Sequence, residues 1–178
     1  MARIRSADWG IVELWRVRIS RYLNYEHHPR QALAPRVSYV AVEEDAVVGF
    51  IAGHLTRRHG CEGELQWINV IPEHRGGAVA SELLRLLAAW FVAQNAFRIC
   101  VDVDPENTTA RRFYMRNGAQ DMNPSWLIWD DIRAVLTPPN SPQNPKYWPG
   151  FRPVPGFVII CEQSHKCRRA DSLYLSCK

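Results

Sequence analysis

The run Ile68-Asn69-Val70-Ile71-Pro72-Glu73-His74-Arg75-Gly76-Gly77-Ala78-Val79-Ala80 lies near the middle of a 178-residue chain and joins two different hydrophobic periods. Before it, an apolar strand pattern starts at Glu64 and is stopped by Pro72. After it, Val79, Leu83, Leu86, Leu87, Trp90 and Phe91 recur at three- and four-residue intervals, the stripe of a long helix that packs on a sheet. The expected unit is strand, small-residue loop, helix. Gly76, Gly77, Ala78 and Ala80 remove side-chain bulk where the N–H groups of a helix start converge, and the helix dipole favours phosphate oxygens at that spot. The same residues would also serve an ordinary tight turn, so the glycines alone leave both readings open.

On the C-terminal side, Ile99 to Val103 reads as a short strand and Asp104-Pro105-Glu106-Asn107 as a turn and cap. Thr108 to Asn117 reads as a helix stopped by Gly118, and Trp126 to Trp129 as a final strand. On the N-terminal side, Val37 to Val42 and Val47 to Leu55 flank the acidic turn Glu43-Glu44-Asp45 as a hairpin. Pro29 and Pro35 close the region before it, where Asp8 would cap one helix carrying Ile11, Leu14, Trp15, Ile19, Tyr22 and Leu23. Hairpins first and strand-helix alternation later imply an α/β fold: a mixed, mostly antiparallel sheet with helices on both faces.

Composition divides the chain near Leu136. Residues 1–136 hold 16 arginines and 16 acidic residues, whereas 137–178 hold 6 basic and 2 acidic residues and so carry the whole net charge of +4. All three lysines, seven of the twelve prolines and three of the five cysteines also lie in that tail, which is expected to be a proline-rich appendage outside a domain of residues 1–136. Phe157 to Cys161 is its one candidate edge strand. A charge-balanced domain offers no basic footprint for nucleic acid. The apolar stretch Leu83 to Ala93 is far shorter than the roughly 20 residues of a bilayer crossing. No signal-peptide pattern marks the first twenty residues, and five cysteines without CxxC spacing suit reduced thiols, so a cytoplasmic location is expected. No metal is expected: His27-His28, the set His54, His59 and Cys61, and the tail group Cys161, His165 and Cys167 all lack ligand spacing or a fourth partner.

Ile68 to Ala80 resembles the acetyl-CoA-binding motif of the GNAT superfamily of N-acetyltransferases. Val103-Asp104-Pro105-Glu106-Asn107-Thr108-Thr109-Ala110-Arg111-Arg112-Phe113-Tyr114-Met115-Arg116-Asn117-Gly118-Ala119 is similar to that family's other signature, and the likeness runs over about residues 2–133. One departure stands in the loop, where Ala78 replaces the first glycine of the family's pattern directly after Gly76 and Gly77. The resemblance implies a sheet that splays between its fourth and fifth strands to admit acetyl-CoA as co-substrate. It implies that Ile68, Asn69 and Val70 offer main-chain groups to the pantetheine arm. Arg75, Gly76, Gly77, Ala78, Val79, Ala80 and Ser81 would surround the pyrophosphate. Asn107 would touch the cofactor, cap its own helix, or do both.

Direct acyl transfer needs a neutral amine, a polarised carbonyl and a proton for the departing thiolate. By the same resemblance Tyr114 is the proton donor, with a core aromatic as its plain alternative. Glu64 or Asp102 is the base, directly or through a water, with a solvated strand-end charge as the alternative for each. Trp67 and Trp126 could line an acceptor cleft. The expected activity is acetyl transfer to a primary amine, small-molecule or peptide, with a homodimer left open. The rival is a non-catalytic acyl-CoA-binding module of the same fold.

Overall fold

A computed structural model of the protein describes residues 1–137 and, as backbone, the strand Val158–Glu162. Two helices open the chain where one was expected: α1 (Ala2–Trp9) and α2 (Val12–Leu23). They part at Gly10, whose φ of +97° is a conformation that side chains resist. Asp8 therefore belongs to α1 and does not cap α2, which starts after Ile11 with no side-chain cap. Trp15, Ile19 and Tyr22 are buried as their spacing implies, but Ile11 and Leu14 from the same stripe are 72% and 60% exposed.

The strands are β1 (Ala32–Glu43), β2 (Ala46–Thr56), β3 (Gly63–Val70), β4 (Ile99–Asp102), β5 (Gln120–Asn123), β6 (Trp126–Trp129) and β7 (Val158–Glu162). Between them come α3 (Val79–Ala93) and α4 (Thr108–Arg116). Glu44 and Asp45 both take positive φ, the geometry of a tight two-residue hairpin, so the acidic turn joins β1 to β2 as read. Pro35 does not end the preceding region. β1 runs through it and skips pairing between Leu33 and Arg36, as a residue without an N–H requires. β5 was not anticipated, because Gln120-Asp121-Met122-Asn123 is a polar edge strand without the usual apolar alternation. β7 falls in the tail and pairs with β1 from Ser38 to Val42; the other tail residues beyond Thr137 lie outside those described.

Sheet order is β5-β6-β4-β3-β2-β1-β7, with β3–β4 the one parallel pairing among the described strands. Leu83, Leu84, Leu87 and Phe91 of α3 sink into one face against Val37, Ile51, Leu65 and Ile99. On the other face Trp15, Ile19 and Tyr22 of α2 meet Val40, Phe50 and Trp67. Each such Leu or Phe taken fully from water stabilises the fold by about 1.5–3 kcal/mol, so both layers are held by burial.

β3 and β4 share only three rungs, Gly63↔Ile99, Glu64↔Cys100 and Leu65↔Val101. β3 meanwhile stays paired to β2 as far as Val70↔Gly49. The register with β2 slips between Gly53↔Leu65 and Ala52↔Trp67, which makes Gln66 the extra residue of a bulge. A bulge bends its strand, and here the bend falls where the pairing to β4 stops. The expected splay is thus present, but it separates the third and fourth strands and not the fourth and fifth, since a helix and not a strand precedes the hairpin.

Candidate active site

Ile68, Asn69 and Val70 lie on the stretch of β3 that has left β4, with one strand edge turned to the parting. Their groups are not all free. The Asn69 carboxamide oxygen accepts a 2.8 Å hydrogen bond from Arg5 of α1. Arg75 donates from Nε to the Val70 carbonyl at 2.9 Å, and its Nη2 pairs with Asp8 at 2.7 Å. Arg75 therefore ties the end of β3 to α1, and a phosphate would compete with Asp8 for its guanidinium.

Past Arg75 the loop opens. Gly76 sits at φ +78°, where glycine is favoured, and a Cβ built there meets no atom within 4 Å. Ala78 is exposed, takes helical dihedrals and begins α3 without a side-chain cap. The first-turn N–H groups, those of Val79, Ala80 and Ser81, lack intrahelical acceptors by the nature of a helix start. Val79 is buried beneath them, and Ala80 and Ser81 are half-buried. An uncapped 15-residue helix behind a bare glycine loop can hold a pyrophosphate. The residues present fit that group.

Glu64 is 3% exposed and points to the α2 face of the sheet. Arg58, in the short 3₁₀ turn Arg58–Gly60, places its Nε 3.1 Å from Glu64 Oε2 in an ion pair whose angles fall outside those of a hydrogen bond. Burial raises the Glu64 carboxyl to about 7; Arg58 opposes the rise and the Asp102 charge adds to it. Asp102, exposed at the end of β4, is itself raised, first by partial burial and against the pull of Arg58. The two candidate bases thus sit near enough to share one cation and to repel each other. The Arg58 guanidinium also lies 4.9 Å over the ring of Trp126, and His59 meets the same ring at 4.7 Å.

Tyr114 is 5% exposed, enclosed by Phe113 at 5.4 Å and Trp129 at 5.8 Å. It belongs to the α3-side cluster, yet the charge that acts on its hydroxyl is Arg5, which comes from the opposite face. The parting of β3 and β4 connects the two layers at this point. Burial pushes the phenol above its ordinary value, so it stays protonated at neutral pH. Asn107 caps α4, its Oδ1 accepting from the Ala110 N–H at 3.0 Å, which leaves the carboxamide donors for another partner.

Several participants carried no signal in the sequence. Arg5, Arg58 and Gln66 are long polar residues with no motif around them, and Gln66 Oε1 is buried at the bulge without a hydrogen-bond partner. Tyr22 stands in the sequence only as one member of a helical stripe and His54 only in a set without ligand spacing; in the structure His54 lies against Glu64 and Tyr22 against His54. Among the described residues no group of three or more His, Cys, Asp or Glu is placed to hold a metal, and no helix is long and apolar enough to cross a membrane.

An open mixed sheet that parts at its parallel strand pair, beside an uncapped helix start, is the architecture of acetyltransferases of the GNAT type. The chain belongs to the acetyltransferase (GNAT) family, whose model matches residues 4–119. No curated protein sequence matches it. Solved structures share the fold at low identity. A GNAT-family protein from Desulfovibrio desulfuricans is 17% identical, with a TM-score of 0.56 over 72% of this chain and 87% of its own. The aminoglycoside 6'-N-acetyltransferase AAC(6')-IG from Acinetobacter haemolyticus is 19% identical, with a TM-score of 0.56 over 68% and 83%. The PaiA N-acetyltransferase from Thermoplasma acidophilum, solved with coenzyme A, is 15% identical, with a TM-score of 0.50 over 67% and 70%.

Proposed function

We propose that the protein transfers the acetyl group of acetyl-CoA to a primary amine by direct attack. The observation that carries this reading is the buried Glu64 carboxylate beside the parting of β3 and β4. A carboxyl held near 7 can take a proton from an ammonium group close to neutral pH, where an ordinary glutamate is too weak a base. Acetyl-CoA brings the acetyl group as a thioester. Glu64 takes one proton from the acceptor's ammonium, the freed nitrogen pair forms the new amide bond as the carbon–sulfur bond breaks, and the nitrogen's surplus second proton leaves to solvent. Tyr114 gives its phenolic proton to the departing sulfur and regains one from solvent. Gly76 to Ser81 hold the pyrophosphate, Ile68 and Asn69 offer main-chain groups to the pantetheine arm, and Asn107 contacts the cofactor through its free amide donors. Asp102, Asp104 and Glu106, exposed around the end of β4, favour a cationic acceptor. That acceptor class agrees with the aminoglycoside substrate named for the Acinetobacter enzyme.

Thiol release from acetyl-CoA over a panel of polyamines, aminoglycosides and peptide amines, alongside calorimetric titration with acetyl-CoA, tests the reading. Amine-dependent release is expected. Tight binding with no release on any amine would instead support the non-catalytic acyl-CoA module.

A further inference from the structure

His54 on β2 is fully buried and has no part in the chemistry above. Its Nδ1 lies 3.1 Å from the Tyr22 hydroxyl, and its Nε2 lies 3.7 Å from Glu64 Oε2. Neither Nε2 nor Oε2 has a hydrogen-bond partner, although both are shut away from water. Burial, with Arg36 and Arg58 adding to it, lowers His54 to about 3, so the ring is neutral. A neutral imidazole carries one donor and one acceptor. Burial also keeps the Tyr22 phenol protonated, and its O–H can be given to Nδ1. The ring proton then resides on Nε2, facing the carboxylate. The opposite tautomer would set a nitrogen lone pair against an ionised oxygen in a site of low dielectric.

We propose that Tyr22 and His54 form a positioning relay that directs an imidazole N–H at Glu64 Oε2, so that Arg58 and His54 hold one carboxylate oxygen while Oε1 is left to receive the acceptor's proton. This rests on the reading of Glu64 as the base. At 3.7 Å the contact is aimed but not closed, as catalytic hydrogen bonds often are before substrate binds. The other charged or titratable groups acting on Glu64, His54 or Tyr22 are Arg58, Arg36, Asp102 and Tyr25, while Cys61 and Cys100 feel the Glu64 charge. None of these offers Oε2 a hydrogen bond of good geometry.

Two measurements on the full chain test the relay. Imidazole nitrogen NMR should show His54 in the Nε2–H form and uncharged down to pH 5; an Nδ1–H form, or protonation near pH 6, overturns it. In pH profiles of kcat/KM, Tyr22→Phe should move the acid limb up by about half a pH unit, a roughly threefold loss on that limb, with acetyl-CoA affinity held. His54→Leu should move it further, and His54→Gln, which keeps a donor, should move it back towards the parent. An unshifted limb in a folded Tyr22→Phe protein overturns the proposal. Glu64→Gln separates the two layers of the argument. If it keeps full turnover, the base assignment fails and takes the relay's catalytic role with it; if it loses turnover while Tyr22→Phe keeps the parent profile, only the relay fails.

Discussion

Leu65 pairs with Val101 in the last rung that joins β3 to β4, and Gln66, the next residue of β3, is the bulge that sends the two strands apart. Glu64 stands one rung before the break, opposite Cys100. The same local distortion thus opens a slot between β3 and β4 and sets the buried carboxylate at its base. Across the slot, Arg5 links the two layers, bonded to Asn69 on one side and acting on the Tyr114 phenol on the other.

Replacing Tyr114 by Phe should lower turnover by about 10²- to 10⁴-fold, the span of a general-acid contribution, with acetyl-CoA affinity nearly unchanged. The ring would still fill its place between Phe113 and Trp129, so the loss reports the hydroxyl and not the packing. Steady-state kinetics with parallel titration calorimetry checks this. An unaltered turnover number removes Tyr114 from the chemistry.

Glu64 must be ionised to accept a proton, and its carboxyl is raised to about 7. Activity should therefore be lost as pH falls through about 7 and be fully present above it, the opposite side of neutrality from a group that works protonated. Arg58 pulls the carboxyl down, so Arg58→Gln should shift the acid limb to higher pH. A limb that stays in place, or moves down, would show that Arg58 does not govern the base.

Ala78→Gly should strengthen acetyl-CoA binding, or leave it level, by clearing a methyl group at the pyrophosphate. Ala78 already has helical dihedrals, so glycine gains no needed conformation there and would cost up to about 1 kcal/mol of stability. Affinity and melting temperature must be read separately. Clear weakening of binding would show the methyl group to be a useful contact.

Gly63 lies under α3, where a Cβ would run into the Phe91 ring and also approach Ile99 Cδ1 to 2.7 Å. Gly63→Ala should cost about 1–3 kcal/mol through overpacking, visible as a lower midpoint in urea. Because Glu64 is the next residue, displacement of β3 should reduce turnover as well. A neutral change in stability would mean that α3 can slide without penalty.

The parts of the fold built on strong periodicity were legible beforehand. The α3 stripe, the β1–β2 hairpin and the Asn107 cap follow from spacing and from turn chemistry that needs no partner. What stayed hidden depends on distant pairing. The bulge at Gln66 exists only in register with Ala52 and Gly53, and β5 is a strand only because β6 offers it an edge. Ile11 and Leu14 fit a helical stripe in the sequence yet stay exposed while Trp15, Ile19 and Tyr22 are buried. In the site, Glu64, Tyr114 and the loop entered through the family resemblance, not through spacing or composition. The environment of Glu64 was not legible, since Arg58 and His54 reach it from two other elements and Tyr22 stands behind His54 from a third.

The tail offers the last test. As a proline-rich appendage, residues 137–178 should be dispensable for the cofactor site, because every residue assigned to that site precedes them. β7, however, covers β1 from Ser38 to Val42, where Ser38, Tyr39, Val40 and Ala41 are buried. A chain ending at Leu136 would bare that edge, and an uncovered apolar edge strand is a template for pairing with another chain. The truncated protein is therefore expected to bind acetyl-CoA like the full chain when dilute, and to self-associate as its concentration rises. Sedimentation velocity across a concentration series, with calorimetric titration at the dilute end, reads both. A truncated chain that stays monomeric throughout would show that β7 is not needed to close the sheet. Loss of acetyl-CoA binding in the dilute monomer would place part of the tail in the site itself.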